Sequence, residues 1–233
     1  MLVPPTWFVR IVWVLTSRNG AVVARLAHNQ KVGSSNLSSA TMDDKYILGS
    51  HNSWSYLPAK SWWMKPFAFM ARCQNISIVD QYEMGVRCFD LRIQCKNGHL
   101  TVGHGFMTYD YSYDDLMNDL TFLNSKGDCY VRVLHEVRNR SGWKRNTTWF
   151  KTKCAVLEYT FQNIKFWCGK NLYTWETDFK FGNNPSCEEK YSSVCAPKLI
   201  DDWWPYLFAK RNNKSIKKKG TEKDILLIDY VNL

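Results

Sequence analysis

No apolar run in this 233-residue chain is long enough to span a bilayer, so the sequence offers no helix to cross a membrane. None of the eight cysteines, at 73, 88, 95, 129, 154, 168, 187 and 195, belongs to a Cys-x-x-Cys pair. No Cys/His spacing is that of a zinc site either, so structural zinc is not expected. Cys88 and Cys129 fall inside apolar strand-like runs and read as buried free thiols. Cys168, Cys187 and Cys195 sit among loop signals, where disulfides would need an oxidising compartment that the sequence does not establish. Internal repeats are absent as well. With 45% hydrophobic and 22% charged residues, disorder over most of the length is excluded. The length allows one domain with a sizeable core, or at most two small ones.

Acidic residues are missing from residues 1–41, which carry Arg10, Arg18, Arg25 and Lys31. The short apolar stretch Phe8–Leu15 can be read as the centre of a signal peptide. A better reading is that Ala21–Thr41 (AVVARLAHNQKVGSSNLSSAT) resembles the conceptual translation of a transfer-RNA gene. Ser34-Ser35-Asn36-Leu37 then corresponds to the T-loop and Leu26-Ala27-His28-Asn29 to an anticodon loop. On this reading residues 1–41 are a non-native or unstructured extension, and translation starts at Met42. The expected location is then cytoplasmic; it is secreted if a true leader has been lost. The formal charge of +10 suits nucleic acid or an acidic membrane surface, and charge alone does not choose between them. Without the first 41 residues, 27 basic residues remain against 21 acidic ones, so the excess is smaller but persists.

From Met42 onward, short apolar strands alternate with longer helical segments, the pattern of βα units and a parallel sheet. Tyr46–Leu48 reads as a first strand. A helix over Ser77–Met84 follows, capped by Ser77 and Asp80 and stopped by Gly85. Val86–Ile93 is a strand whose period of two puts Asp90 and Arg92 on one face. Leu100–Val102 reads as a third strand, and Tyr113–Leu123 as an amphipathic helix with Leu116, Leu120 and Leu123 at helical spacing. Tyr130–Val137 is β-rich, Thr148–Trp167 helical, and Leu172–Thr174 and Ile225–Val231 are further strands. Lys210–Lys223 reads as an exposed basic loop, either a solvated charge run or a contact for anionic headgroups. Trp203-Trp204-Pro205-Tyr206 and Trp62-Trp63-Met64 read equally as core or as aromatic anchors at a lipid interface.

Two histidines stand among small residues at strand ends: Gly49-Ser50-His51-Asn52-Ser53 and Gly103-His104-Gly105. A lone histidine is usually structural. Two of them beyond strand ends suit a barrel, whose sites collect at the C-terminal ends of its parallel strands. Two imidazoles titrating near neutrality can serve as base and acid in phosphodiester cleavage, and a guanidinium can offset charge on the phosphoryl oxygens.

The run from Leu48 to Ser53, the run Ser77-Ile-Val-Asp-Gln-Tyr-Glu-Met-Gly-Val-Arg-Cys-Phe-Asp-Leu-Arg92 and the Gly103-His104-Gly105 triplet together resemble the X region of phosphatidylinositol-specific phospholipases C, in its bacterial, metal-independent branch. The likeness extends from about Tyr46 to the C-terminus. It implies an α/β fold, a single-domain distorted TIM-type (β/α) barrel over residues 42–233. It also implies cleavage of phosphatidylinositol, or a GPI-like lipid, to diacylglycerol and inositol cyclic phosphate. By the resemblance His51 is the general base and His104 the general acid supported by Asp90. Arg92 contacts the phosphate where the eukaryotic branch binds calcium, and Asp229 of the Asp229-Tyr230 pair orients His51. Asn52, Glu136, Glu189 and Tyr191 fall on substrate-binding positions, Glu136 being chosen over Arg132 and His135 of the same strand. No metal and no other cofactor is implied. The implied partner is a phosphatidylinositol-containing or other anionic membrane surface, approached by a monomer, with no nucleic acid. Two features depart from the bacterial pattern: Asn52 replaces an aspartate, and no counterpart of the inositol-binding arginine stands out. Other readings are a phosphodiesterase for another lipid or glycerophosphodiester headgroup, or a catalytically weak lipid-binding barrel.

Overall fold

The computed structural model describes residues 46–105, 107–136, 140–171, 178–180, 190–194, 204–220 and 225–233. All of them belong to the unit Met42–Leu233. Among the described residues nine strands form one sheet. They are β1 (Ile47–Ser50), β2 (Cys88–Lys96), β3 (His99–His104), β4 (Met107–Thr108), β5 (Tyr130–Glu136), β6 (Lys165–Asn171), β7 (Asp178–Lys180), β8 (Lys190–Val194) and β9 (Ile225–Ile228). Its parallel body runs β6, β5, β2, β1, β9, β8 across the sheet, with β7 antiparallel on the β8 edge. The sheet curls into a half-barrel, a distorted (β/α) barrel.

Parallel strands buried on both faces read as continuous apolar runs, and β9 (ILLI) does so here, whereas β2 and β5 set polar side chains between apolar ones. Cys88, Tyr130, Leu134, Trp167, Ile225 and Leu227 pack together in one apolar cluster. The alternate residues Phe89, Leu91, Ile93, Val131, Val133, Leu226 and Ile228 join a second, larger cluster with side chains of the helices. Of the short helices, α1 (Ala68–Ala71) leads into the link before α2 (Ile78–Glu83). Ser77 caps α2 as its sequence implies, accepting a hydrogen bond from the backbone N–H of Asp80 at 3.2 Å. Helix α3 (Tyr113–Lys126) starts with a capping box from Ser112 and Asp115 and buries Leu116, Leu120 and Leu123. Each of these leucines contributes roughly 2 kcal/mol by leaving water.

Three elements differ from their sequence reading. Helix α4 occupies Arg140–Thr160 rather than Thr148–Trp167, and Lys165–Asn171 is strand β6. A short apolar run in a parallel sheet has no period of two, so periodicity extended the helix through it. The same assignment moves Cys168 from a loop into a strand. Lys210–Lys219 is not a loop but most of α5 (Pro205–Lys219), with Pro205 at its start and Gly220 (φ 64) after its end. Ala209 and Asn213 face inward, while Lys210, Arg211, Lys214, Lys218 and Lys219 are exposed, so the helix is a basic outer face. Finally, β3 returns antiparallel along β2 through the turn Asn97–Gly98, whose φ angles are 51 and 77. Leu172–Thr174, Cys187 and Cys195 lie outside the described residues. No helix among the described residues is long and apolar enough to cross a membrane.

Candidate active site

β1 and β9 are parallel neighbours in a register that aligns Ser50 with Ile228. The residues that follow, His51 and Asp229, therefore leave the sheet side by side, and His51 Nδ1 lies 2.7 Å from Asp229 Oδ1. Each is succeeded by a left-handed residue, Asn52 at φ 46 and Tyr230 at φ 45, which turns the chain out of its strand. Asparagine tolerates that conformation, whereas for tyrosine it costs about 1 kcal/mol or more. Tyr230 is held there by bonds from its N–H to the Cys73 carbonyl (2.6 Å) and from Asn213 Nδ2 to its own carbonyl (2.9 Å). Gln74, fully buried, binds both strand ends together. Its Nε2 donates to the carbonyls of His51 (3.0 Å) and Ile228 (2.9 Å), and its Oε1 accepts from the Val231 N–H (3.1 Å). Gly49 permits the close approach beneath, since a Cβ there would stand 2.4 Å from Leu227 Cδ2.

Arg92 is the hub. Its Nε donates to Asp90 Oδ2 (2.9 Å), two residues back on the same face of β2, and Nη1 donates to Glu136 Oε1 (2.7 Å) at the end of β5. The remaining arm, Nη2, lies 3.0 Å from His51 Nε2. A guanidinium has no acceptor, so Nε2 must accept, and the ring proton resides on Nδ1, donated to Asp229. His51 is thereby held as the tautomer with a basic lone pair at Nε2. The aspartate missing at position 52 does not leave Arg92 without charged partners, because Asp90 and Glu136 both pair with it.

Asp90 also accepts the Asn52 backbone N–H (2.9 Å) and lies 3.6 Å from Arg132 Nε. Burial alone would raise its pKa, but Arg92 and Arg132 outweigh burial and hold the carboxyl well below the usual range. For Arg92 the pull of Asp90 and Glu136 outweighs burial in the other direction, so it stays charged. The resemblance places Asp90 behind His104; the structure spends it on Arg92, Arg132 and the Asn52 backbone instead.

His104 reaches the cluster because β3 folds back over β2. Ile93 pairs with His135 on one side and Val102 on the other, so β3 lies on the β1 side of β2, above the end of β1. The following turn is tight: a Cβ on Gly103 would meet the Met107 carbonyl at 2.4 Å. Gln94 Nε2 secures it by donating to the Gly105 carbonyl at 2.9 Å. The half-buried His104 ring donates through Nδ1 to the Ala71 carbonyl at 3.3 Å. Burial, then the positive charge of Arg92, lowers its pKa to about 4.

The other expected residues divide. Asn52 is fully buried, with Nδ2 3.4 Å from the Tyr109 hydroxyl and Oδ1 without a hydrogen-bond partner. Glu136 belongs to the cluster, on the same face of β5 as Arg132, whereas His135 faces the helices and stacks on Phe150 (5.2 Å, 12°). Tyr191 does not come to the strand ends. In register it matches Ile225, while His51 is level with Asp229, so the Tyr191 backbone sits roughly 13 Å below the level of His51. Glu189 lies outside the described residues. Spacing gave no hint of Gln74, Asn213, Tyr109 or Cys73, whose partners are distant in sequence; Arg132, passed over for Glu136, has its side chain buried beside Asp90.

Exposed and stacked aromatic rings lie on the elements that follow β1 and precede β9. Trp62 and Trp63 are 80% and 57% exposed and Phe67 is 49% exposed, whereas Met64 is core. Phe69 packs on Trp204 (5.3 Å), Trp204 on Tyr206 (6.4 Å) and Tyr206 on Tyr230 (5.3 Å), next to Asp229. No protein-family model matches the chain, and no curated protein matches it in sequence. Among solved structures it resembles the phosphatidylinositol-specific phospholipase C from Listeria monocytogenes, with a TM-score of 0.54 and 16% identity over 82% of this chain and 92% of that one. A double mutant of the corresponding Staphylococcus aureus enzyme gives a TM-score of 0.52 and 14% identity over 80% and 86%. The chain thus has the distorted barrel fold of bacterial phosphatidylinositol-specific phospholipases C.

Proposed function

We propose that this chain, through residues 42–233, is a metal-independent phospholipase C that cleaves phosphatidylinositol or a lipid with the same headgroup chemistry. The observation that carries the reading is the chain Asp229–His51–Arg92, which leaves a basic lone pair at Nε2 under a guanidinium able to hold a phosphoryl group. On substrate binding Arg92 Nη2 turns from His51 to a phosphoryl oxygen. His51 Nε2 takes the proton of the inositol 2-hydroxyl, whose oxygen attacks phosphorus and closes the cyclic phosphodiester. The bond to the diacylglycerol oxygen breaks, and that oxygen receives a proton from His104. The substrate's negative charge favours imidazolium, so His104 takes up a proton from solvent as substrate binds, against the burial that otherwise disfavours it. Asp90 and Glu136 hold Arg92 in place. Their engagement with Arg92 is the reason we assign no calcium to the site.

The membrane surface is met by Trp62, Trp63 and Phe67, flanked by exposed Lys60 and Lys65. The substrate class is tested by release of diacylglycerol from vesicles carrying phosphatidylinositol, phosphatidylcholine or phosphatidylglycerol. Release from the inositol lipid alone supports the proposal, and equal release from all three, or from none, contradicts it.

A further inference from the structure

Cys73 is 1% exposed and forms no disulfide, and nothing in the proposed chemistry uses it. Yet one ligand atom from each of His51, Cys73 and Asp229 lies within 4.8 Å of the other two. The three arrive from separate segments: the end of β1, the link between α1 and α2, and the end of β9. Their backbones are fixed. Cys73 N–H donates to Ser55 Oγ (2.9 Å), its carbonyl accepts from Tyr230 (2.6 Å), and the neighbouring Gln74 binds the ends of β1 and β9.

An imidazole nitrogen, a thiol sulfur and a carboxylate oxygen are the three donor types that zinc takes. Zinc bonds of about 2.0–2.3 Å in a tetrahedron separate their donors by roughly 3.3–3.8 Å. The present atoms lie within 4.8 Å, with the His51–Asp229 contact at 2.7 Å, so side-chain shifts of about an ångström would reach that geometry. Three protein donors leave a fourth position open. Calcium and magnesium need six or more oxygens, which this set cannot supply, whereas a thiolate selects softer ions.

We propose that His51, Cys73 and Asp229 form a site for zinc, or a similarly soft divalent cation, whose occupation switches the enzyme off. Binding releases the thiol proton of Cys73. If Nδ1 of His51 is the ligand, its proton moves to Nε2, which then no longer accepts, and the orienting bond to Asp229 is replaced; if Nε2 is the ligand, the lone pair of the base is consumed. Either way His51 cannot accept a proton. The inhibition rests on the base role proposed for His51; the binding does not.

The test uses the full chain, freed of metal and without lipid. Cobalt(II) is titrated while the near-ultraviolet thiolate-to-cobalt absorption is followed, and zinc affinity is measured by competition with a chromophoric chelator. Cys73→Ser and Cys73→Ala are compared after circular dichroism has shown that they fold. The expected result is a thiolate band that both substitutions abolish, with zinc affinity weakened more than about 100-fold, beyond the loss expected from a mere outer-shell partner. Zinc should also inhibit lipid cleavage by the wild type at concentrations that leave Cys73→Ser active. An unchanged zinc affinity in both variants, or a thiolate band that survives them, would overturn the site. Zinc held through Cys73 with cleavage undiminished would overturn the inhibition, and with it the role of His51, while leaving the binding intact.

Discussion

The imidazole rings of His51 and His104 stand 6.0 Å apart between centroids and cross at 87°. Their supports differ in kind: His51 is backed by the carboxylate of Asp229, and His104 by the neutral carbonyl of Ala71. A carboxylate stabilises the imidazolium that a base becomes, whereas a neutral carbonyl leaves His104 ready to lose its proton. That asymmetry allots the two roles in the proposed reaction.

Burial and the charge of Arg92 lower the pKa of His104 to about 4. A bound phosphonate analogue of the substrate places negative charge beside it, so its pKa should rise. Histidine chemical shifts followed through a pH titration, with and without the analogue, give both values. An unchanged His104 midpoint would remove it from the phosphate.

Asp229→Asn keeps the shape of the His51 partner but removes the charge that stabilises the imidazolium. Turnover should fall by a factor on the order of 100 to 10,000, the upper figure being that of the equivalent change in a serine-protease triad, with little change in KM. Steady-state kinetics on phosphatidylinositol vesicles decides this. A fall confined to KM would make Asp229 a binding residue.

Arg92→Lys preserves one positive charge but cannot contact Asp90, Glu136 and the phosphoryl group at once. Turnover should drop by roughly 100- to 1,000-fold, the range for loss of a charge-stabilising donor. Thermal stability should fall as well, because a buried carboxylate loses its partner.

His135 gives the fold an acid-sensitive point away from the chemistry. It is fully buried, and burial lowers its pKa from 6.5 to about 4. Between those values the unfolded chain binds the extra proton. Stability from this group is therefore complete above about 6.5 and declines as pH falls towards 4, by on the order of 3 kcal/mol. His135→Phe should flatten urea midpoints measured across that window. A slope equal to the wild type's would assign the acid sensitivity elsewhere.

Trp62→Ala and Trp63→Ala remove exposed rings to which the proposed reaction gives no role. Vesicle partitioning should weaken for each, while cleavage of a soluble short-chain substrate stays at the wild-type rate. Undiminished partitioning of the double variant would place the membrane contact on another face.

Much of this site is legible in the sequence because strand geometry is local. A period of two places Asp90 and Arg92 on one face of β2, and two parallel strands ending together bring His51 to Asp229. The antiparallel return of β3 was also written in the chain, as the Asn97-Gly98 pair of a tight hairpin, but a reading tuned to βα units passes over it. Strand β6 was hidden because its apolar run Phe166-Trp167-Cys168 shows no alternation and follows directly on a helical pattern. What Asp90 supports depends on side chains from β5, remote in sequence, and no spacing rule reaches that far. Gln74 and Asn213, which hold the strand ends, are invisible for the same reason.

The most direct test of the proposed reaction is phosphorus NMR of phosphatidylinositol vesicles incubated with the protein in excess chelator. The proposal predicts inositol 1,2-cyclic phosphate from the wild type, and rates lower by roughly 100- to 10,000-fold for His51→Ala and for His104→Ala. No cyclic product, or product only after divalent metal is added, would contradict it.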